Sequence, residues 1–243
     1  MTSLLVLVVT FLFSVPPQGP PDAQQIINQT ISAHGGAALS QINNSNATVL
    51  FTDYRATPSV PRPATLRSFG QATRLDYSDA RGPLALVRNG ALLWETRGGS
   101  VQEYAGQPPA FQNGFFNPSL GLVPSLSTQD FPYVATAALL GRSVYGLRKS
   151  YWTVPWGSSN HRGTQEFVYV YIDAASHLVS QIDYTYGSDY NRVSFHFDNY
   201  TSISGIAVPM TITYGINDRM VWQMQVQTIS FNQSVNPQDF AHP

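Results

Sequence analysis

Apolar and polar side chains alternate along the second half of the chain, from residue 166 to residue 231. In the segment 192–198, for example, Phe195 lies on one side and His196 on the other. Residues 206–214 show the same alternation. A period of two is typical of β-strands that have one apolar face. Because short turns separate the segments, we predict five consecutive antiparallel strands in this region.

The last of these segments, residues 220–231, changes phase part of the way along. One apolar row uses even-numbered positions as far as Val226, and odd-numbered positions from Ile229 onwards. A shift of one residue is typical of a β-bulge, and bulges bend sheets. We therefore predict a bulge near Val226 and a curved sheet, with Met220 and Met224 on one face.

A different period marks residues 22–34. Apolar residues such as Ile27 and Ile31 recur with the spacing of one helix face. Asp22 is suited to capping the start of a helix, and Gly35 to a left-handed stop. The segment is therefore predicted to be one amphipathic helix, whose apolar stripe packs on the sheet.

The first half of the chain also contains strand patterns. Asn89-Gly90 lies between the apolar segments 84–88 and 91–96, which is a strong signal for a β-hairpin. Further strands are predicted at 47–54 and 65–77, then near 100–104 and at 144–154. The predicted fold class is mainly β (α+β): a curved antiparallel sheet, or unclosed β-barrel, of about ten strands wrapped on an N-terminal helix.

Residues 105–140 interrupt this regularity, because prolines punctuate them and apolar residues such as Phe115 and Phe116 are frequent. We predict a loop with one or two short helices that is apolar enough to be buried. Two interpretations remain open. The segment is either a connector that closes one end of the core or a lid over a binding cavity.

The N-terminus resembles an export signal. Residues 4–15 are mostly apolar, too short a run to cross a bilayer, and a proline-rich stretch follows. No Lys or Arg precedes the run, so a buried or anchoring helix is the alternative. We expect residues 1–21 to be a signal peptide and leader and residues 22–243 to be a single domain. The expected location is the periplasm, or outside a bacterial cell.

Composition excludes several functional classes. Lys and Arg number 13 against 14 Asp and Glu, and no basic cluster occurs, so nucleic-acid binding is not expected. Cysteine is absent. The motifs of serine hydrolases, P-loop enzymes and zinc proteases are missing, and no histidine has a neighbour at ligand spacing. We predict no catalytic residue, no metal and no cofactor. His34, at the end of the predicted helix, suits a cationic side chain beside the helix dipole.

Two segments carry a resemblance to a known family. His34-Gly35-Gly36, at the end of the helix, and Gly205-Ile206-Ala207-Val208-Pro209, between two strands, resemble passages of the LolA/LolB-like bacterial lipoprotein-carrier superfamily. The resemblance spans roughly residues 22–240. It implies an unclosed barrel around a helix, a cavity for acyl chains, and a non-enzymatic carrier. It also implies a lipid or a lipidated protein as the partner. We expect a monomer.

The apolar face of the sheet supplies a candidate cavity lining, together with the helix and the insertion. The candidate ligand-binding residues are Ile27, Ile31, Phe115, Phe116, Val193, Phe195, Val208, Met210, Ile212, Trp222 and Met224. If the helix covers that face completely, these residues form only a core. If it covers the face in part, they border a cavity.

Two other functions compete with a carrier. A secreted hydrolase acting on a large apolar or glycan substrate would use carboxylates of the sheet, such as Asp183 and Asp198. An outer-membrane barrel would show aromatic girdles and a terminal aromatic strand, and this chain ends in Ala-His-Pro instead.

Overall fold

One antiparallel sheet dominates the computed structural model, which describes residues 22–70, 72–90, 92–104, 118–139, 141–153, 164–186 and 191–243. Within these ranges the helices are α1 (Ala23–Ala33), α2 (Ala37–Ser40) and α3 (Pro118–Leu122), and 3-10 turns span Val123–Ser125 and Pro237–Phe240. The strands are β1 (Asn44–Asp53), β2 (Arg62–Phe69), β3 (Ala72–Asp79), β4 (Gly82–Asn89), β5 (Leu92–Arg97), β6 (Ser100–Glu103), β7 (Tyr133–Leu139), β8 (Arg142–Thr153), β9 (Thr164–Asp173), β10 (Val179–Tyr186), β11 (Asn191–Ile203), β12 (Ile206–Ile216) and β13 (Arg219–Phe231).

Strands that are consecutive in the chain are neighbours in the sheet, except β6 and β7, which lie at opposite edges. The first strand pairs with the last, so the order is β6-β5-β4-β3-β2-β1-β13-β12-β11-β10-β9-β8-β7. The edges β6 and β7 do not pair with each other in the described part of the chain, so the sheet is not closed into a barrel. This confirms the predicted fold class. The described residues form thirteen strands where about ten were expected.

The predicted bulge is present between β1 and β13. Thr48 is paired with Thr228 and Val49 with Val226, which leaves Gln227 as the extra residue. A second bulge, which the sequence pattern did not reveal, lies between β12 and β13 and leaves Val221 as the extra residue. Val221 is buried there and Met220 is 49% exposed, so the prediction that Met220 shares a face with Met224 is wrong.

The amphipathic helix is confirmed as α1. The carboxylate of Asp22 accepts a hydrogen bond from the backbone N–H of Gln25 at 2.7 Å, which caps the helix. Ile26 and Ile27 are fully buried and belong to the same core as Phe195 of β11. We call the face of the sheet that packs on α1 the inner face.

The five strands predicted between residues 166 and 231 are β9 to β13. The single strand predicted at 65–77 is two strands, β2 and β3, joined at Gly70. Residues 133–139 form the edge strand β7 within the segment predicted to be a loop. Its central residues are exposed, so burial imposes no apolar alternation on the sequence.

The C-terminal residues cover part of the outer face of the sheet. Phe240 is 2% exposed and stacks on Phe69 with ring centroids 6.2 Å apart. Arg67 forms an ion pair with Asp239. The ring of His242 packs edge-on against that of Trp94 at 5.0 Å. The outer face of β2 to β5 is therefore partly shielded by the chain's own end.

Candidate functional site

A cleft of about 510 Å³ opens on the inner face of the sheet. It lies where β1 begins and β2 ends, between this end of the sheet and the short helices α2 and α3. Its volume falls within the range of roughly 300–1,000 Å³ that is usual for small-molecule sites. The lining residues are Leu39, Ser40, Ile42, Asn43, Ser45, Ala47, Leu66, Ser68, Gly70, Thr73, Leu120, Gly121, Leu122, Pro124, Ser125, Ile212, Met224, Val226 and Ile229.

The β1–β13 bulge shapes the apolar wall of this cleft. Val226 and Ile229 differ by an odd number of residues, and in a regular strand they would face opposite sides of the sheet. The extra residue Gln227 restores the phase, so both side chains border the cleft. Helix α3 contributes Leu120 and Leu122 from the opposite side.

Part of the cleft lining is polar. Ser45, Ser68 and Thr73 line it from three adjacent strands. The hydroxyls of Ser45 and Ser68 hydrogen-bond each other at 2.7 Å. The hydroxyl of Thr73 is buried and has no hydrogen-bond partner among the described residues. The cleft is therefore amphipathic, with a row of hydroxyls beside the apolar wall on the same face of the sheet.

Two of the sequence-predicted residues, Ile212 and Met224, border this cleft. Five others are packed in the core away from it: Ile27, Val193, Phe195, Val208 and Trp222. Ile31 and Met210 are partly buried against that core, and Phe115 and Phe116 lie outside the described residues. Ligand binding by any of these residues stays a prediction.

An aromatic cluster explains why the core fills one part of the inner face. The rings of Tyr214 and Trp222 are stacked with their centroids 5.1 Å apart, and the ring centroids of Phe195 and Tyr214 are 5.0 Å apart. These large side chains belong to the same packed core as Ile26 and Ile27 of α1. Sequence reasoning missed the lining from α2 and from β1 to β3. The apolar residues of α3 did give a signal: because of them, the insertion that contains α3 was predicted to be either a connector that closes the core or a lid over a cavity.

His34 is fully buried, contrary to the expectation of a cationic residue at the helix end. Its Nδ1 lies 2.9 Å from the carbonyl oxygen of Thr30, and its Nε2 accepts the backbone N–H of Val179 at 3.5 Å. Burial lowers the pKa of His34, and the hydrogen bond to Thr30 opposes this only in part. The residue is a neutral structural link between α1 and β10, with its proton on Nδ1.

The two sequence segments that resemble the LolA/LolB-like superfamily meet in space. Gly35 has φ +121°, and a Cβ atom there would lie 2.7 Å from the carbonyl oxygen of Gly205. The backbone N–H of Ala207 donates to the carbonyl of His34 at 3.2 Å. The end of the helix thus rests directly on the β11–β12 turn, and only glycine fits at position 35.

The carboxylates proposed for a hydrolase do not converge. Asp183 is paired in register with Ser194, and Asp198 with Thr211. Four residues of β11 separate the two positions, a distance of about 13 Å, whereas paired catalytic carboxylates lie roughly 5–9.5 Å apart. Asp183 is also 2% exposed. No group of three or more His, Asp or Glu side chains in the described ranges could hold a metal ion.

Comparison with known proteins shows similarity at the level of structure only. No family model matches the sequence, and no curated protein is significantly similar to it. A domain from Vibrio parahaemolyticus described as an outer-membrane lipoprotein-sorting protein has a TM-score of 0.55 at 14% identity, covering 89% of this chain and 94% of its own. A LolA superfamily protein from Nitrosomonas europaea has a TM-score of 0.55 at 11% identity, covering 92% and 99%.

A third solved structure, a DUF1329 family protein from Desulfovibrio piger, has a TM-score of 0.54 at 11% identity, covering 91% of this chain and 98% of its own. In all three cases the likeness covers nearly the whole of both chains, so it concerns the complete sheet and helix arrangement. The chain therefore has the LolA-like fold that its helix-end and β11–β12 segments predicted.

Proposed function

We propose that this protein is a non-enzymatic carrier or binding protein that holds a lipid or the acyl chain of a lipoprotein in the cleft. The observation that carries the proposal is the cleft itself, a space of about 510 Å³ with an apolar wall. Each methylene group moved from water to such a wall contributes about 0.8 kcal/mol. The burial of an acyl chain of the length common in lipids therefore supplies enough free energy for stable binding.

Two further features support this function. The LolA-like fold is shared with a domain described as sorting lipoproteins. In addition, α3 places Leu120 and Leu122 over the open side of the sheet, where a small movement of this short helix would widen the cleft. In this proposal α3 acts as a cover over the acyl chain.

We further propose that the protein is exported to the periplasm or beyond the cell and acts as a monomer, with residues 1–21 as its signal peptide and leader and residues 22–243 as the functional domain. The apolar run at residues 4–15 supports export. None of the described helices is long and apolar enough to cross a membrane.

Native mass spectrometry of gently purified protein tests the proposed function. We expect a co-purified lipid, or binding of an added fluorescent fatty acid. Leu120→Trp should fill the cleft and weaken binding about tenfold or more. Leu92→Trp is the matched control, because Leu92 is 52% exposed, lies on the outer face of the sheet and does not line the cleft. A ligand-free mass together with no binding of the fatty acid would refute the proposal.

A further inference from the structure

The hydroxyl row of the cleft continues beyond it. Ser45 is paired in register with Ser68, Ser68 with Thr73, and Thr73 with Arg88. Directly opposite side chains in an antiparallel sheet share a face, with Cβ atoms about 4.5–5.5 Å apart. One row of polar side chains therefore crosses β1 to β4 on the inner face and ends in a guanidinium group.

Arg88 is buried, with 3% of its surface exposed. Its Nε and Nη2 both donate to the carbonyl oxygen of Gly90, at 2.9 and 2.8 Å. Its Nη1 is buried and has no hydrogen-bond partner among the described residues. Burial lowers the pKa of Arg88 to about 10, so the group keeps its positive charge at neutral pH. A buried charge without a counter-ion is unfavourable.

Two other arginines of the sheet have counter-ions. Arg74 pairs with Asp76 at 2.8 Å, and Arg97 with Asp79 at 2.7 Å. Arg88 forms no such pair within the described ranges. A planar guanidinium with a free N–H edge is suited to binding a carboxylate or a phosphate. Thr73 is paired in register with Arg88 and borders the cleft, and its hydroxyl has no hydrogen-bond partner among the described residues.

We propose that Arg88 and Thr73 bind the anionic head group, a carboxylate or a phosphate, of an amphiphile whose acyl chain lies in the cleft. This inference rests on the proposed lipid-binding function and narrows it to anionic single-chain or phospholipid-like ligands. The apolar wall holds the chain, the hydroxyl row follows its polar end, and Arg88 supplies the charge that neutralises the head group.

The test compares three ligands with the same fourteen-carbon chain: tetradecanoic acid, monotetradecyl phosphate and tetradecan-1-ol. Dissociation constants are measured by isothermal titration calorimetry on the wild-type protein. We expect the acid, the phosphate or both to bind about tenfold or more tightly than the alcohol, because a charged hydrogen bond is lost in the alcohol. The stronger of the two anions identifies the head-group class.

The variant Arg88→Gln should lower the affinity for the anions to that for the alcohol and leave the alcohol unchanged. Arg74→Gln is the matched control, since Arg74 lies on the outer face and should leave the preference intact. Equal binding of acid, phosphate and alcohol by the wild type overturns this inference but leaves lipid binding standing. No binding of any of the three overturns both. The wild-type comparison decides the question even if Arg88→Gln fails to fold.

Discussion

The imidazole of His34 meets the ring of Tyr200 edge to face, with centroids 5.7 Å apart and planes at 89°. Both side chains also form a hydrogen bond with the backbone of the same residue, Val179. The hydroxyl of Tyr200 donates to the carbonyl of Val179 at 2.7 Å, and the N–H of Val179 donates to Nε2 of His34. Helix α1 is thereby fixed to β10 and β11 through one shared residue, Val179.

Gly35→Ala should destabilise the protein strongly, because the new methyl group would meet the carbonyl of Gly205 at 2.7 Å on a backbone with φ +121°. We expect a loss of about 3 kcal/mol in the free energy of unfolding. Gly98→Ala is the control, since that glycine also has positive φ but has open space around it. It should cost about 1 kcal/mol. Urea unfolding of both variants measures the difference, and equal losses would contradict the close contact.

His34 should make the folded state sensitive to acid. Burial lowers its pKa in the folded protein, so below its unfolded pKa the unfolded chain binds more protons. The stability that neutral His34 contributes is therefore present above about pH 6.5 and is lost as the pH falls below that value. His34→Gln should be less stable than the wild type by about 1–2 kcal/mol at about pH 7.5, and this gap should narrow at about pH 5. If urea unfolding gives the same stability difference between the two proteins at both pH values, His34 is not a neutral, buried imidazole.

Phe240→Ala should loosen the C-terminal segment from the outer face without affecting the cleft. Phe240 is 2% exposed, so its truncation should cost about 3–5 kcal/mol. Its stacking partner Phe69 is 40% exposed, so replacing Phe69 with alanine should lower the stability clearly less. Thermal unfolding gives both values. Ligand affinity should stay at the wild-type level in each folded variant, and a parallel loss of affinity would show that the outer segment shapes the cleft.

Arg88→Met should raise the stability of the ligand-free protein, because it removes a buried charge that has no counter-ion among the described residues. An increase of about 1 kcal/mol is expected, with a smaller gain in melting temperature on adding tetradecanoic acid than in the wild type. Differential scanning calorimetry with and without the ligand separates the two effects. A lower stability in the ligand-free state would mean that Arg88 is already neutralised within the fold.

Local periodicity carried most of the fold. The alternation of β9 to β13, the helical spacing and cap of α1, and the phase change beside Val226 all depend on residues close together in the chain. The second bulge escaped prediction because Met220, Val221 and Trp222 are consecutive apolar residues that fit either phase. Strand β7 escaped because an exposed edge places little demand on its sequence.

The sequence by itself determined which side chains are apolar and, apart from the second bulge at Val221, which face of the predicted strands they occupy, because these depend on a two-residue or a 3.6-residue period. Only the tertiary structure decided which of them border a cleft, because that depends on how far α1 and the Tyr214–Trp222 stack fill the inner face. The polar row from Ser45 to Arg88 was likewise decided only by the tertiary structure. Each of four strands contributes one residue, and only the pairing register brings them into line.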